Sequence, residues 1–147
     1  MIVIVTGERE WADREHVWDE LDVLFNRHLQ PLAERNGEYR KPEEFVLRHG
    51  VGGKTDYAAN DWGIKRGVTI ERFPADWHGM GGGIDFSAGP RRNRAMAQKE
   101  PRADVCLAFW SGKFTKRGGR EVSGTFTMIT AALAAGIPVS IHPPRAT

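Results

Sequence analysis

Apolar and polar positions along the chain fall into two recurring patterns. The first is a short apolar run such as residues 2–5, which is entirely β-branched and stops at Thr6 and Gly7. A run of this kind predicts a strand that is buried on both faces and ends in a tight turn. On the same grounds, further strands are predicted at residues 45–49, 68–73, 105–109 and 137–141.

The second pattern places apolar residues at helical spacing. The first such segment starts from an N-cap candidate, Asp13, passes a kink at Pro31 and stops at Asn36 and Gly37. Further helices are predicted at residues 55–66, 89–99 and 122–135, followed in the first and last cases by Gly67 and Gly136. Two segments show neither pattern: residues 75–87 are predicted to form a mobile surface loop or lid, and residues 110–121 a basic loop.

The alternation of strands and helices predicts an α/β sandwich with a mostly parallel sheet of about five strands. A length of 147 residues suits a single domain, here residues 1–147, and 40% hydrophobic with 27% charged residues is typical of a soluble globular protein. Cys106 is the only cysteine, so no internal disulfide can form. Its apolar neighbours predict a buried position in a strand.

The net charge and the hydropathy of the chain indicate which binding partners to expect. The net charge of +2, from 21 basic and 19 acidic residues, argues against a protein that coats nucleic acid. No apolar window approaches the length of a membrane span, and no basic segment precedes a long apolar run at the start. We therefore expect a cytoplasmic protein with no membrane partner.

Residues 88–96 combine a glycine, a proline and three arginines where a helix is predicted to begin. Gly89 and Pro90 suit the turn and the first helical position, and the free amide groups of a helix start favour an anion. Arg91, Arg92 and Arg94 add guanidinium groups, and Asn93 adds a side chain that donates and accepts hydrogen bonds. The pattern favours a phosphate-bearing small ligand; a solvated basic helix surface is the alternative.

Glycine-bearing turns follow several of the predicted strands. Because the ends of parallel strands meet at one sheet edge, residues 6–7, 50–55, 89–93 and 111–125 are expected to converge there on a phosphate. Asp56 and Asp76 could accept hydrogen bonds from ribose hydroxyls, or could cap a helix and form a turn. Trp77 and Trp110 could stack on a base, or could belong to the core.

Several common nucleotide and metal motifs are absent or incomplete. The Gly-Lys-Thr at residues 53–55 invites a P-loop interpretation, but Arg48 occupies the position of its first glycine, and no acidic residue follows Phe109 to hold magnesium. The dinucleotide fingerprint is missing after the first strand. His49, His78 and His142 show no paired spacing, so neither a metal nor a cofactor is expected. No Ser-His-Asp arrangement is recognisable.

The chain resembles the YspA-like branch of the SLOG superfamily, which comprises Rossmann-like relatives of the LOG nucleotide hydrolases and the DprA DNA-binding proteins. The resemblance extends over nearly the whole chain. It depends on short strings: Thr6-Gly7 with Arg9 and Trp11, His49-Gly50 followed by Asp56, the Pro-Ala-Asp-Trp of residues 74–77, the Ala-Gly-Pro of residues 88–90 with Arg92, Asn93 and Met96, Ala103-Asp104, and Gly124-Thr125.

The resemblance implies a Rossmann-like three-layer fold, a nucleotide or nucleotide-derived ligand, and a homodimer. Arg92, Asn93, Gly124 and Thr125 are implied as phosphate and ribose contacts, and Lys54 as a substitute for an arginine that is usual in the glycine-rich turn. Together with the residue patterns, this gives one predicted ligand-binding set: Thr6, Gly7, Arg9, Gly50, Lys54, Asp56, Asp76, Trp77, Gly89, Arg92, Asn93, Gly124 and Thr125.

Two other functions remain open at this stage. The first is a nucleotide N-glycosidic hydrolase resembling phosphoribohydrolases, with Arg92 holding the phosphate and Asp56 or Glu121 as acid/base. The hydrolase branch, however, carries a glutamate soon after Gly-Thr, and this chain continues with Phe126, Thr127 and Met128. The second is single-stranded DNA binding, as in the DprA relatives, through Arg91, Arg94, Lys113, Lys116, Arg117 and Arg120.

Overall fold

A five-stranded parallel sheet forms the centre of the computed structural model, which describes residues 1–30, 38–79 and 81–146. In chain order the strands of the structure are β1 (Ile2–Gly7), β2 (Val46–His49), β3 (Thr69–Arg72), β4 (Val105–Phe109), β5 (Thr115–Arg117), β6 (Arg120–Val122) and β7 (Val139–His142). The main sheet has the order β3-β2-β1-β4-β7, and all of its neighbouring strands are parallel. The predicted Rossmann-like α/β fold is confirmed.

Four helices connect these strands: α1 (Arg14–His28), α2 (Lys54–Arg66), α3 (Ala88–Gln98) and α4 (Gly124–Ala134). The Asp13 side chain caps α1 by accepting from the backbone N–H of His16, as the sequence predicts. Gly67 ends α2 in the left-handed region, with φ of 74°. The predictions for Pro31, Asn36 and Gly37 lie outside the described residues. A short 3-10 turn, Pro42–Glu44, interrupts the polar connection before β2.

The two faces of the sheet bury separate apolar clusters, because successive side chains of a strand point to opposite faces. Val3 and Val5 of β1 pack with α1 and α2, whereas Ile4 packs with α3 and α4. Cys106 is buried in the second cluster, and burial raises the pKa of its thiol to about 12. Helices on both faces of a parallel sheet give the expected three layers.

The main departure from the predicted elements is a hairpin. Residues 110–121 were expected to form a loop, but β5 and β6 pair as a small antiparallel sheet. Each strand has only three residues, and all but Val122 are exposed, so no apolar run marks either strand in the sequence. The last helix accordingly begins at Gly124, two residues after the predicted start.

No helix within the described residues is sufficiently long and apolar to cross a membrane.

One buried indole joins α1 to α2. Trp62 is fully buried, and its Nε1 donates to Asp22 Oδ1 at 2.9 Å. Arg66 donates to both oxygens of the same carboxylate, which lowers the pKa of Asp22. A second link, between Arg14 and Asp61, joins the same helices but has side chains that are half exposed.

We expect Asp22→Ala to lower the free energy of unfolding by about 1–3 kcal/mol, because the buried Trp62 N–H loses its acceptor. Asp61→Ala removes an exposed ion pair between the same two helices and should cost less than about 0.5 kcal/mol. Urea unfolding of both variants measures the difference. Equal costs would contradict this account of how the two helices are joined.

Candidate functional site

A cleft of about 1040 Å³ lies where the carboxyl ends of β1 and β4 meet. The chain runs outward from β1 through β2 to β3, and then returns to the other side of β1 with β4 and β7. Ligands of open parallel sheets bind at such a change of direction. The walls come from the loop after β1, the start of α3, the β5–β6 hairpin and the start of α4.

Most of the predicted ligand contacts line this cleft: Gly7, Arg9, Trp77, Gly89, Arg92, Asn93, Gly124 and Thr125. Thr6, Gly50, Lys54, Asp56 and Asp76 do not line it, and neither does the acid/base candidate Glu121. Asp76 Oδ1 accepts from the backbone N–H of Gly79, the turn-forming role considered for it. Trp110 packs against Phe114 and Phe126 rather than on the cleft wall.

The start of α4 lines the cleft and carries backbone donors that the protein leaves free. Ser123 Oγ accepts from the N–H of Phe126, whereas the amides of Gly124 and Thr125 donate to no acceptor among the described residues. A Cβ added at Gly124 would meet no atom within 4 Å, so packing inside the protein does not require glycine there. Free amides at a helix start can bind an anion.

The indole of Trp77 packs against the start of α3. A Cβ added at Gly89 would lie 2.9 Å from Cη2 of Trp77, so the missing side chain makes room for that ring. Trp77 and Phe86 both line the cleft near this helix. They give this side of the cleft aromatic surface on which a planar ring can stack.

Arg92 has a bracing role that the sequence did not reveal. Its Nη1 donates to the carbonyl oxygens of Gly50, after β2, and of Phe73, after β3, the second at 3.1 Å. Its Nε donates to Asn93 Oδ1 at 2.8 Å. The Nη2 group donates to no acceptor in the described part of the chain. Burial lowers the pKa of Arg92, but a guanidinium remains charged.

Asn93 ties the two helix starts together. It is 4% exposed, and its Nδ2 lies 3.4 Å from the carbonyl oxygen of Gly124. Through Asn93 and Arg92, α3 is thus connected to α4, to β2 and to β3. Both residues line the cleft, but most of their polar atoms are already occupied within the protein.

Asp56 is buried close to Arg92. Its Oδ2 accepts from the N–H of Gly52 at 2.7 Å, and its Oδ1 has no hydrogen-bond partner among the described residues. Burial raises the pKa of Asp56, opposed by the Gly52 hydrogen bond and by the charges of His49 and Arg92. The neighbouring Val51 has φ of 55°, a conformation that is unusual for a β-branched residue.

Two of the glycines permit the close packing of neighbouring loops. A Cβ at Gly7 would clash with the side chain of Thr55, and one at Gly53 with the backbone of Arg9. Lys54 continues this contact, because its N–H donates to the carbonyl oxygen of Arg9 and its Nζ lies 3.0 Å from Glu10. The loops after β1 and β2 are therefore packed tightly together.

The hairpin supplies cleft residues that the predicted binding set omits. Lys113, Arg117 and Arg120 line the cleft, and the Arg117 guanidinium lies 4.5 Å from the ring centre of Phe86. The sequence predicted that residues 111–125 reach this edge, but it named the basic side chains of the segment only for the DNA-binding alternative. Which of these cations line the cleft follows from the hairpin.

The raised pKa of Asp56 gives a pH dependence with a defined sign. The folded state holds this proton more tightly, so the unfolding free energy of the parent, relative to Asp56→Asn, should fall as pH rises above the ordinary pKa of about 4. The pKa of Asp22 is lowered in the folded state. The unfolding free energy of the parent, relative to Asp22→Asn, should therefore increase as the pH rises from that lowered pKa to the ordinary value of about 4. Urea unfolding across pH measures both slopes; the same sign for both would contradict the assignment.

Comparison with known proteins agrees with the sequence resemblance. The model of the YspA, cpYpsA-related SLOG family matches residues 1–79, which carry β1 to β3 and the first two loops of the site edge. The "Gene 61 protein" of Mycobacterium phage D29 is 35% identical over 143 residues, covering 93% of this chain and 92% of that relative. The chain belongs to the YspA, cpYpsA-related SLOG family.

Proposed function

We propose that this protein binds a nucleotide or nucleotide-derived small molecule in the cleft between the starts of α3 and α4. Membership of the SLOG family suggests a nucleotide-related function. The observation that carries the proposal is the pair of unoccupied amides at Gly124 and Thr125, two residues that line the cleft. A phosphate group on these amides would take the hydrogen bonds that the protein itself leaves unmade.

The charges around the cleft support an anionic ligand. Its cationic side chains are Arg9, Arg92, Lys113, Arg117 and Arg120, and its acidic side chains are Glu8 and Glu10. Glu8 Oε1 accepts from the N–H of Ser111 at 2.6 Å, and Glu10 pairs with Lys54. Both carboxylates are thus engaged, and the excess of guanidinium and ammonium groups attracts phosphate.

The aromatic cleft residues Trp77 and Phe86 support the binding of the base of such a ligand. With a phosphate on α4, a ribose would cross the cleft towards α3, and the base would reach Trp77 and Phe86. Indole and phenyl faces accept any base by stacking. The volume of about 1040 Å³ is at the upper end for small-molecule sites and allows a ligand larger than a mononucleotide, such as ADP-ribose.

The positions of the proposed acid/base residues favour ligand binding over hydrolysis. Both carboxylates proposed for acid/base catalysis, Asp56 and Glu121, lie outside the cleft lining. The residues after Thr125 carry no carboxylate either. A general acid or base must reach the bond it acts on within hydrogen-bond distance. Release of free base from AMP or ADP-ribose would reverse this preference.

Single-stranded DNA is a second candidate because the hairpin is basic and exposed. Lys113, Lys116, Arg117 and Arg120 are all exposed, whereas Arg91 is paired with Asp85 at 2.6 Å. Oligonucleotide binding would weaken steeply with salt, in contrast to a small ligand with few phosphate contacts. The homodimer stays a prediction, which analytical ultracentrifugation tests.

Replacing a cleft arginine should weaken nucleotide binding. Titration of AMP and ADP-ribose by calorimetry should give an affinity that falls about 10- to 100-fold in Arg117→Gln, the loss expected for a hydrogen bond to a charged group. Arg94→Gln makes the same charge change on α3 outside the cleft lining and should bind as the parent does. Arg92→Ala is a poor choice, because it also removes the brace between α3 and two strand ends. No difference between Arg117→Gln and Arg94→Gln would contradict the proposed cleft.

A side chain at position 124 should block the ligand without harming the fold. In Gly124→Leu the new Cβ meets no protein atom within 4 Å and the position is exposed, so the unfolding temperature should hold steady while the AMP and ADP-ribose thermal shifts disappear. Ala134→Leu places a leucine at an exposed position at the other end of α4 and should leave the shifts intact. Undiminished shifts in Gly124→Leu would exclude the amides of α4 as the phosphate site.

A further inference from the structure

A second cluster of polar side chains lies apart from the cleft, between α1 and the end of β7. His16 and Glu20 are one turn apart on α1, and His142 is the last residue of β7. One potential ligand atom from each of the three lies within 4.8 Å of the others. None of the three lines the cleft, so the cluster is independent of the proposed nucleotide site.

The spacing of this cluster is too wide for direct hydrogen bonds. Glu20 Oε1 lies 3.9 Å from His16 Nε2, and Glu20 Oε2 lies 3.8 Å from His142 Nδ1. Hydrogen bonds between such atoms would be about 2.7–3.2 Å long. The ligand atoms of a tetrahedral zinc site with bonds of about 2.0–2.1 Å are about 3.4 Å apart. The two distances from Glu20 exceed that spacing by about half an ångström, and the 4.8 Å limit on the whole set exceeds it by about 1.4 Å, so metal binding requires the side chains to move closer.

The ring of His16 is buried, but its nitrogens make no hydrogen bond with the described residues. The residue is 5% exposed, its Nδ1 has no hydrogen-bond partner, and its Nε2 makes no hydrogen bond within the described ranges. A buried polar ring that lacks partners is costly and calls for an unseen water or ion. A metal ion on Nε2 would give the ring one partner, and Nδ1 would stay without a hydrogen bond among the described residues.

The ring of His142 is oriented so that its Nδ1 lies towards Glu20. Its Nε2 lies 3.0 Å from Ser140 Oγ, and its ring stacks on Phe109 at 5.3 Å between centres. When Nε2 donates its proton to Ser140, Nδ1 carries a lone pair that points at the carboxylate side of the cluster. An outer hydrogen bond that fixes the tautomer is typical of metal-binding histidines.

We propose that His16, Glu20 and His142 bind a divalent transition-metal ion, with zinc as the best match. Two imidazoles and one carboxylate form a donor set that zinc favours, and magnesium prefers oxygen ligands. Glu20 is about one-third exposed, with a side-chain value of 33%, so a further coordination position faces solvent. The positive charge of Arg145 near His16 is offset by its pairs with Asp13 and Asp19.

Calorimetric titration of the metal-free full chain with zinc chloride tests the proposal. The parent should bind one equivalent, and Glu20→Gln and His142→Gln should each weaken binding at least about 100-fold, since each loses one of three ligands. Glu15→Gln, on the exposed side of α1, and His78→Gln, in an exposed loop, are matched controls that should bind as the parent does. Magnesium should not compete.

Cobalt(II) added to the unaltered chain provides a measurement that does not depend on any variant folding. It should give the intense visible absorption of a low-coordinate histidine site, and zinc should displace it. In parallel, the ring protons of His16 and His142 should shift in NMR spectra while those of His78 stay unchanged. Absence of one-equivalent binding, ring shifts at other histidines, or equal affinity in Glu20→Gln and the parent would each overturn the site.

Discussion

The half-buried guanidinium of Arg92 makes the contacts on which the geometry of the site edge depends. It joins the carbonyl oxygen that follows β2 to the one that follows β3, and it reaches them from α3. Asn93 extends the connection to the start of α4. A guanidinium suits this place because one charged group can donate to several carbonyl oxygens at once. Arg92 and Asn93 together connect the starts of α3 and α4 to the two strand ends.

Because of these contacts, the starts of α3 and α4 have different roles. The arginines of α3 are largely committed to the protein: Arg92 to the strand ends, and Arg91 to Asp85. Hydrogen bonds from Ser87 and Arg91 lower the pKa of Asp85 to about 2, which keeps that pair ionised. The start of α4, by contrast, retains free amides and open space at Gly124. The proposed phosphate site therefore lies on α4, with α3 as its support and its aromatic wall.

Sequence reasoning predicted the layers well and the site in part. β4 is delimited as predicted, because its apolar run is continuous and bounded by polar residues. The hairpin was missed because its three-residue strands are polar and exposed. Gly7 and Gly53 permit close packing of two loops, a long-range contact that no local pattern encodes. His16 and Glu20 were passed over, since their partner His142 is distant in the chain.

NMR titration of the uniformly ¹⁵N-labelled protein with AMP and with ADP-ribose would show directly whether a nucleotide phosphate binds the free amides at the start of α4. The backbone amide signals of Gly124 and Thr125 should shift most, together with the indole signal of Trp77, and all three should saturate together. Saturable binding that leaves the signals of Gly124 and Thr125 in place, or no saturable binding of either nucleotide, would contradict the proposed phosphate site.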